Sequence, residues 1–380
     1  MMSELHVQSR SVWWKRQDWL LTAAVVTLTG FGALLVWSAT RSELIAAGRN
    51  PQTELIKHVV TIIIGTVLAV GVVRSRYLLL RAYAPVLYLL GVAGLVFVLY
   101  QGIEIDGIKA WIPLPGGFTL QPSEFAKLAI VLGVSIVLAE TAQRGGAPTT
   151  KQVLLSLLIV GVPAVLILLE PDLGTTLVVG VIYLGLLSVS GSAARWSLGL
   201  GGIAVVGVVV ALSTPLLLEG WQRQRLLIFM DPNSDLRNWG YQLSQVRIAI
   251  GGGGLLGTGF LNGPQTNGAF VPVQQTDFIF SAAAEQFGFV GGAFIIALLF
   301  LIVWRALRIA LLSSDRFGRI AATGIATWIA FQSFENIGMN IGIMPMTGVP
   351  LPFVSSGGSS MFALWMAFGL LQNISIRASE

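Results

Sequence analysis

The sequence contains no cysteine and only two histidines, His6 and His58, among 380 residues. The first absence excludes disulfides, thiol nucleophiles and zinc sites of the Cys/His kind, and the second excludes a histidine cluster. Charge is scarce as well, with 11% of residues charged and 54% hydrophobic. By length alone the chain would suit two soluble domains, but this composition lies far outside the globular norm. The net charge of +5 would point to nucleic acid in a soluble protein. The placement of the basic residues gives a plainer cause, and no nucleic-acid partner is expected.

What the chain has in abundance is long apolar runs. Trp19 to Thr40, Ala82 to Ile103, Gln152 to Leu169, Leu173 to Ala194 and Trp196 to Leu218 carry no charge. Each holds about 18 or more residues, enough to cross roughly 30 Å of hydrocarbon as a helix. Shorter or interrupted runs at 58–73, 123–142, 278–304 and 318–342, with the uncharged stretch 350–376, bring the count to ten. The expected fold is an all-α integral membrane protein, one polytopic domain over residues 1–380. The first run is longer than the apolar core of a secretory signal and no small-residue cleavage site follows it, so it reads as a retained anchor.

Basic residues concentrate in alternate connections: Arg10, Lys15 and Arg16; Arg74, Arg76 and Arg81; Arg144 and Lys151; Arg195; Arg305, Arg308, Arg316 and Arg319; and Arg377. The positive-inside bias places these, and both termini, in the cytoplasm. Three segments on the opposite side are longer than turns: 101–122, about 215–276 between helices 7 and 8, and about 342–360. Loops beyond roughly 15 residues are usually functional or disordered, and 215–276 is too rich in Trp, Tyr, Leu and Ile for disorder. The working face is therefore expected outside.

Within WQRQRLLIFMDPNSDLRNWGYQLSQVRIAIGGGG (221–254), Arg223, Arg225, Arg237 and Arg247 stand among Trp221, Trp239 and Tyr241. Fixed cations beside amphipathic rings suit a phosphate-bearing amphiphile at a membrane surface, although an interfacial belt touching lipid headgroups is the simpler account. The glycines at 251–254, 257 and 259 lack the ending and context of a nucleotide loop, so they read as places where the backbone bends or re-enters. Ser355, Ser356, Ser359 and Ser360 have no histidine downstream to activate them, which leaves capping and close packing.

Carboxylates at membrane depth cost a few kcal/mol each and mark functional sites. Glu124 and Lys127 are three apart, so they either neutralise one another on one helix face or snorkel to the interface. Asp277, Ser281 and Glu285 recur every four residues, on one stripe of helix 8. From spacing alone Asp277 is a helix cap. Glu285, about 12 Å deeper, needs a partner or a water-filled cavity. Glu335, beside Gln332 and Asn336, lies within a span with its partner left open.

Five stretches together resemble the SEDS (shape, elongation, division and sporulation) family, and its elongation members above all: WIPLPGGFTLQPSEFAKL (111–128), LEPDLGTT (169–176), 221–259, QQTDFIFSAAAEQFGFVGG (274–292) and NIGMNIGIMPMTGVPLPFVSSGGSS (336–360). The resemblance implies a ten-helix peptidoglycan glycosyltransferase that polymerises lipid II outside the bacterial cytoplasmic membrane, with a class B penicillin-binding protein as partner. It implies that Asp277 is catalytic, and it assigns Trp111, Glu124, Lys127, Arg223, Arg225 and Glu285 to substrate binding. Asp277 would act as base on a sugar hydroxyl. Arg223, Arg225 and a divalent cation such as Mg²⁺ or Mn²⁺ would take the charge of the leaving pyrophosphate. The chain departs from the family at Lys109-Ala110, Gln245-Val246 and Val271-Pro272-Val273, which removes the Arg, Ser and Glu found there in many relatives. A lipid flippase and a noncatalytic membrane scaffold are the rival readings.

Overall fold

The computed structural model describes residues 16–105, 107–140, 146–213 and 239–378. Each expected span overlaps a helix: α1 (Trp19–Ala46), α2 (Thr53–Arg74), α3 (Tyr77–Gln101), α4 (Pro122–Ala139), α5 (Thr150–Leu169), α6 (Leu173–Val189) and α7 (Ala194–Ser213). After the long segment that follows α7 come α10 (Ile279–Leu312), α11 (Arg316–Ile341) and α12 (Gly358–Ala378), and that segment itself contributes α8 (Trp239–Gly253) and the short α9 (Pro264–Asn267). Among the described residues, α1 to α5, α10 and α12 are the seven helices long and apolar enough to cross a membrane, and α6 is a shorter apolar helix.

Burial separates the helices into an inner and an outer group. The most apolar 18 residues of α4 and of α12 are 78% buried, whereas those of α2 and α3 are 22% buried. The second pair turns its Leu, Ile and Val side chains to the membrane, where apolar surface needs no protein partner. The sequence of α11 is less apolar because it carries Gln332, Ser333, Glu335, Asn336 and Asn340, all buried inside the bundle.

Helix ends are tied together at two poles. Asp18 caps α1 through Leu21 N–H (3.0 Å), pairs with Arg305 of α10 (2.6 Å), and exchanges two backbone hydrogen bonds with the Gln372 amide of α12. Asn373 donates to the carbonyls of Val72, Val73 and Ser75 at the end of α2. At the other pole the starts of α4, α6 and α12 meet the residues ahead of α10.

α10 is broken at Gly288, whose φ of 64° and ψ of −159° only glycine tolerates readily. A break inside a bilayer strands backbone groups that must find partners within the protein. The stretch after α8 supplies them: Thr258 and Gly259 donate to the carbonyls of Glu285 and Gln286 (3.0 and 3.1 Å), while Phe289 and Val290 donate to those of Gly254 and Leu255 (2.8 and 3.2 Å). A side chain at Gly253 or Gly257 would collide with the α10 backbone at Ala284 or Gln286. The glycine run is thus a site of close backbone approach.

Two expectations need correction. The molecule is not purely helical, because residues 103–120 form an antiparallel meander of β1 (Ile103–Ile105), β2 (Ile108–Leu114) and β3 (Phe118–Leu120). Its turns use Gly107, Gly116 and Gly117 at positive φ, and its Ile, Trp and Phe residues favour strands. The last helix begins at Gly358, not near residue 350, since Gly348 and Phe353 hold positive φ and the stretch between α11 and α12 is non-helical. Side chains satisfy that stretch: Gln332 donates to Pro350 (2.8 Å), Asn336 to Val349 (2.8 Å), and Leu351 N–H donates to Ser355 Oγ (2.8 Å).

Candidate functional site

Asp277 lies two residues ahead of α10, half-buried in a run of turns. Phe278 occupies the cap position and makes no side-chain capping bond, so Asp277 is not the cap its spacing suggested. Its stripe with Ser281 and Glu285 ends before it for the same reason. External groups hold the approach to Asp277. Ser355 Oγ donates to the Thr276 carbonyl (2.5 Å), Ser356 N–H to that of Gln275 (2.9 Å), and the amides of Asn336 and Asn340 to that of Asp277 (2.9 and 3.1 Å). Gly348, at φ +75°, backs onto the carboxylate: a Cβ there would stand 3.5 Å from Oδ2.

A cavity of about 400 Å³ opens at this point. Asp277 shares its wall with Trp111 of β2, Glu124 of α4 and Asp172 at the start of α6. The meander contributes Phe118 and Thr119, α8 contributes Trp239 and Gln242, and Ser356, Ser359 and Ser360 complete the side toward α12. Ser359 Oγ accepts from Gln121 N–H at 2.8 Å.

Lys127 stands behind Glu124. Its Nζ lies 2.8 Å from Glu124 Oε1, 3.0 Å from Gln332 Oε1 and 5.0 Å from the centre of the Trp328 ring. Both charged side chains are buried, so the pair neutralises itself and does not snorkel. Among the described residues, the cation on the wall itself is Lys57 of α2, which pairs with Glu54 at 2.9 Å.

Asp172, within the LEPDLGTT stretch, also lies on the wall, a position that its sequence motif alone does not reveal. It caps α6 through Thr175 N–H (2.9 Å) and accepts from Gln121 Nε2 (3.3 Å). Burial raises its pKa, and burial together with the Asp172 carboxylate pushes Glu170 up to about 8. Two carboxylates in a three-residue connection between apolar helices are its trace in the sequence.

The structure does not bring every expected residue together. Glu285 misses the cavity wall, because its Oε1 accepts from Gln265 N–H (2.6 Å) and its Oε2 from Thr266 N–H and Oγ1 (3.0 and 2.6 Å). It fixes the first turn of α9, which answers its need for a partner. Arg223 and Arg225 lie outside the described residues. The departure at Lys109 has its own use: Nζ donates to the carbonyls of Leu99 and Tyr100 at the end of α3 (3.1 and 3.2 Å).

A family model described as "Cell cycle protein" (FtsW, RodA, SpoVE) matches residues 18–380. The peptidoglycan glycosyltransferase MrdB of Escherichia coli K12 is 36% identical over 354 residues, covering 92% of this chain and 91% of that protein. The probable peptidoglycan glycosyltransferase FtsW of Geobacter metallireducens is 33% identical over 371 residues, 96% of each. The crystal structure of the Thermus thermophilus rod shape determining protein RodA superposes with a TM-score of 0.70 at 27% identity, over 97% of this chain and 99% of that one. A chain of a peptidoglycan synthase complex, solved for its coordination of polymerization and crosslinking, gives a TM-score of 0.77 at 29% identity, over 96% and 99%. With a family match along nearly its whole length and relatives above 30% identity, the chain belongs to the FtsW/RodA/SpoVE family of cell cycle proteins, the SEDS family.

Proposed function

We propose that the protein is a peptidoglycan glycosyltransferase of the bacterial cytoplasmic membrane that polymerises lipid II into β-1,4 glycan strands for cell-wall elongation. The observation that carries this reading is the convergence of Asp277, Trp111, Glu124 and Asp172 on one cavity at the pole of a membrane bundle. The cavity suits substrates whose prenyl chains stay in the bilayer while their sugars react at its surface. All ten long helices cross the membrane in this reading, with both termini cytoplasmic and the cavity outside.

The reaction joins two disaccharides. The 4-hydroxyl oxygen of one attacks the anomeric carbon of the other, its C–O bond to the lipid pyrophosphate breaks, and the pyrophosphate leaves with the bonding pair. An α-linked donor gives a β-1,4 product, so the displacement inverts. Asp277 accepts the hydroxyl proton as general base, a role worth typically about 10²- to 10⁴-fold. Arg223 and Arg225 neutralise the leaving group, and Trp111 shapes the entrance. Glu124, held by Lys127, presents a fixed acceptor to substrate hydroxyls or amides.

Among the described residues, no three His, Asp or Glu side chains stand close enough to hold a metal ion. A divalent ion such as Mg²⁺ or Mn²⁺ would enter on the substrate phosphates. A class B penicillin-binding protein is the proposed partner, in line with the pairing of polymerization and crosslinking in the synthase complex.

The test is glycan synthesis from labelled lipid II by the purified protein with that transpeptidase. Strands from wild type and none from Asp277→Ala are expected. Undiminished strands from the variant would remove Asp277 from the chemistry, and lipid translocation without any strand growth would make the protein a flippase. A scaffold would do neither.

A further inference from the structure

We propose that Asn336 and Asn340 are positioning residues for Asp277, setting its carboxylate at the cavity through its own main-chain carbonyl. This rests on Asp277 being the base. Inside a helix the backbone ladder would fix the direction of a side chain, but Asp277 precedes α10, in a stretch where Ala269 and Val273 already hold positive φ. Its N–H donates to the Val273 carbonyl within the turn (3.3 Å), and its carbonyl is held from α11. The two asparagines are fully buried and four residues apart on α11, hence on one face, and both amides donate to the Asp277 carbonyl (2.9 and 3.1 Å). The Asn336 amide also donates to the Val349 carbonyl at 2.8 Å, next to Gly348, which backs onto Oδ2. One side chain thus bonds both the residue that carries the carboxylate and the stretch behind it.

A single amide nitrogen with two N–H donors can do this, whereas a hydroxyl has one donor and an aliphatic side chain none. Displacing a reacting group by about 1 Å can cost 10²-fold in rate while substrate contacts elsewhere persist.

The experiment compares kcat and KM for lipid II in Asn336→Leu, Asn336→Gln and Asn340→Ala, each purified with its transpeptidase and checked for folding by its unfolding temperature. The control is Ser333→Ala, a neighbour whose hydroxyl bonds within its own helix. We expect kcat about 10- to 100-fold lower for Asn336→Leu with KM within about twofold, a smaller loss for Asn340→Ala, and partial recovery in Asn336→Gln, which keeps the donors. Wild-type kcat in folded Asn336→Leu, or a rise in KM with a loss of stability alone, overturns the inference. If Asn336→Leu does not fold, the kcat of Asn340→Ala decides in the same way. Should Asp277→Ala itself polymerise, the base assignment fails. Should it be inactive while both asparagine variants keep full kcat, only the positioning fails.

Discussion

Lys127 Nζ sits 2.8 Å from Glu124 Oε1 with both side chains buried, so each charge is compensated only by what the protein places beside it. Removing one partner of such a pair leaves a bare buried charge, at a cost of about 3–5 kcal/mol, whereas removing both at constant volume can be nearly neutral. Lys127→Met should therefore lower the unfolding temperature more than Glu124→Gln with Lys127→Met. Equal losses in single and double variants, measured by thermal unfolding in detergent, would show the pair to be uncoupled.

Asp277 is not a helix cap. Asp277→Asn keeps the shape and the backbone carbonyl that Asn336 and Asn340 hold, and abolishes only the basic oxygen. Polymerisation should fall about 10²- to 10⁴-fold while the unfolding temperature stays within a few degrees. Strand length and rate on labelled lipid II provide the readout, and a variant that loses stability in step with activity would contradict it.

Gly288 combines a backbone conformation that side chains reject with a close approach to Leu255 and Gly257. Gly288→Ala must either straighten α10 or push the 254–259 stretch away, stranding the four hydrogen bonds that now cross the break. We expect destabilisation of several kcal/mol, seen as a collapse in the yield of detergent-stable monomer. Gly251→Ala, where a Cβ meets nothing within 4 Å, is the matched control and should express normally.

Glu170 supplies a pH dependence. Its pKa rises from 4.5 to about 8 on folding, through burial and the neighbouring Asp172. The folded state therefore holds the proton more tightly than the unfolded state. The resulting stabilisation is complete below about pH 4.5 and is lost as pH rises through about 8. Wild type should unfold at a lower temperature at pH 8.5 than at pH 6, and Glu170→Gln, neutral throughout, should flatten that slope. An unchanged slope in the variant would assign the dependence to another group.

The membrane class, the helical segments and the alternation of basic connections were legible because each depends on local composition over some 20 residues, which the bilayer reads without reference to the rest of the chain. Asp277 could be singled out from its motif, but spacing alone made it a cap. The meander escaped notice because its strands are short and its pairing lies in the turns. Composition does not locate the start of α12, because an uncharged stretch looks alike whether helical or held open by Gln332 and Asn336.

The sequence by itself determined that this chain lives in a bilayer and which motifs it shares with its family, since apolar length and residue order are properties of the chain alone. Only the tertiary structure decided that Glu285 braces α9, that Asp172 joins the wall, and that Asn336 and Asn340 grip Asp277. Those outcomes depend on distances between residues far apart in sequence. Such distances are set by how buried polar groups find partners once the helices pack.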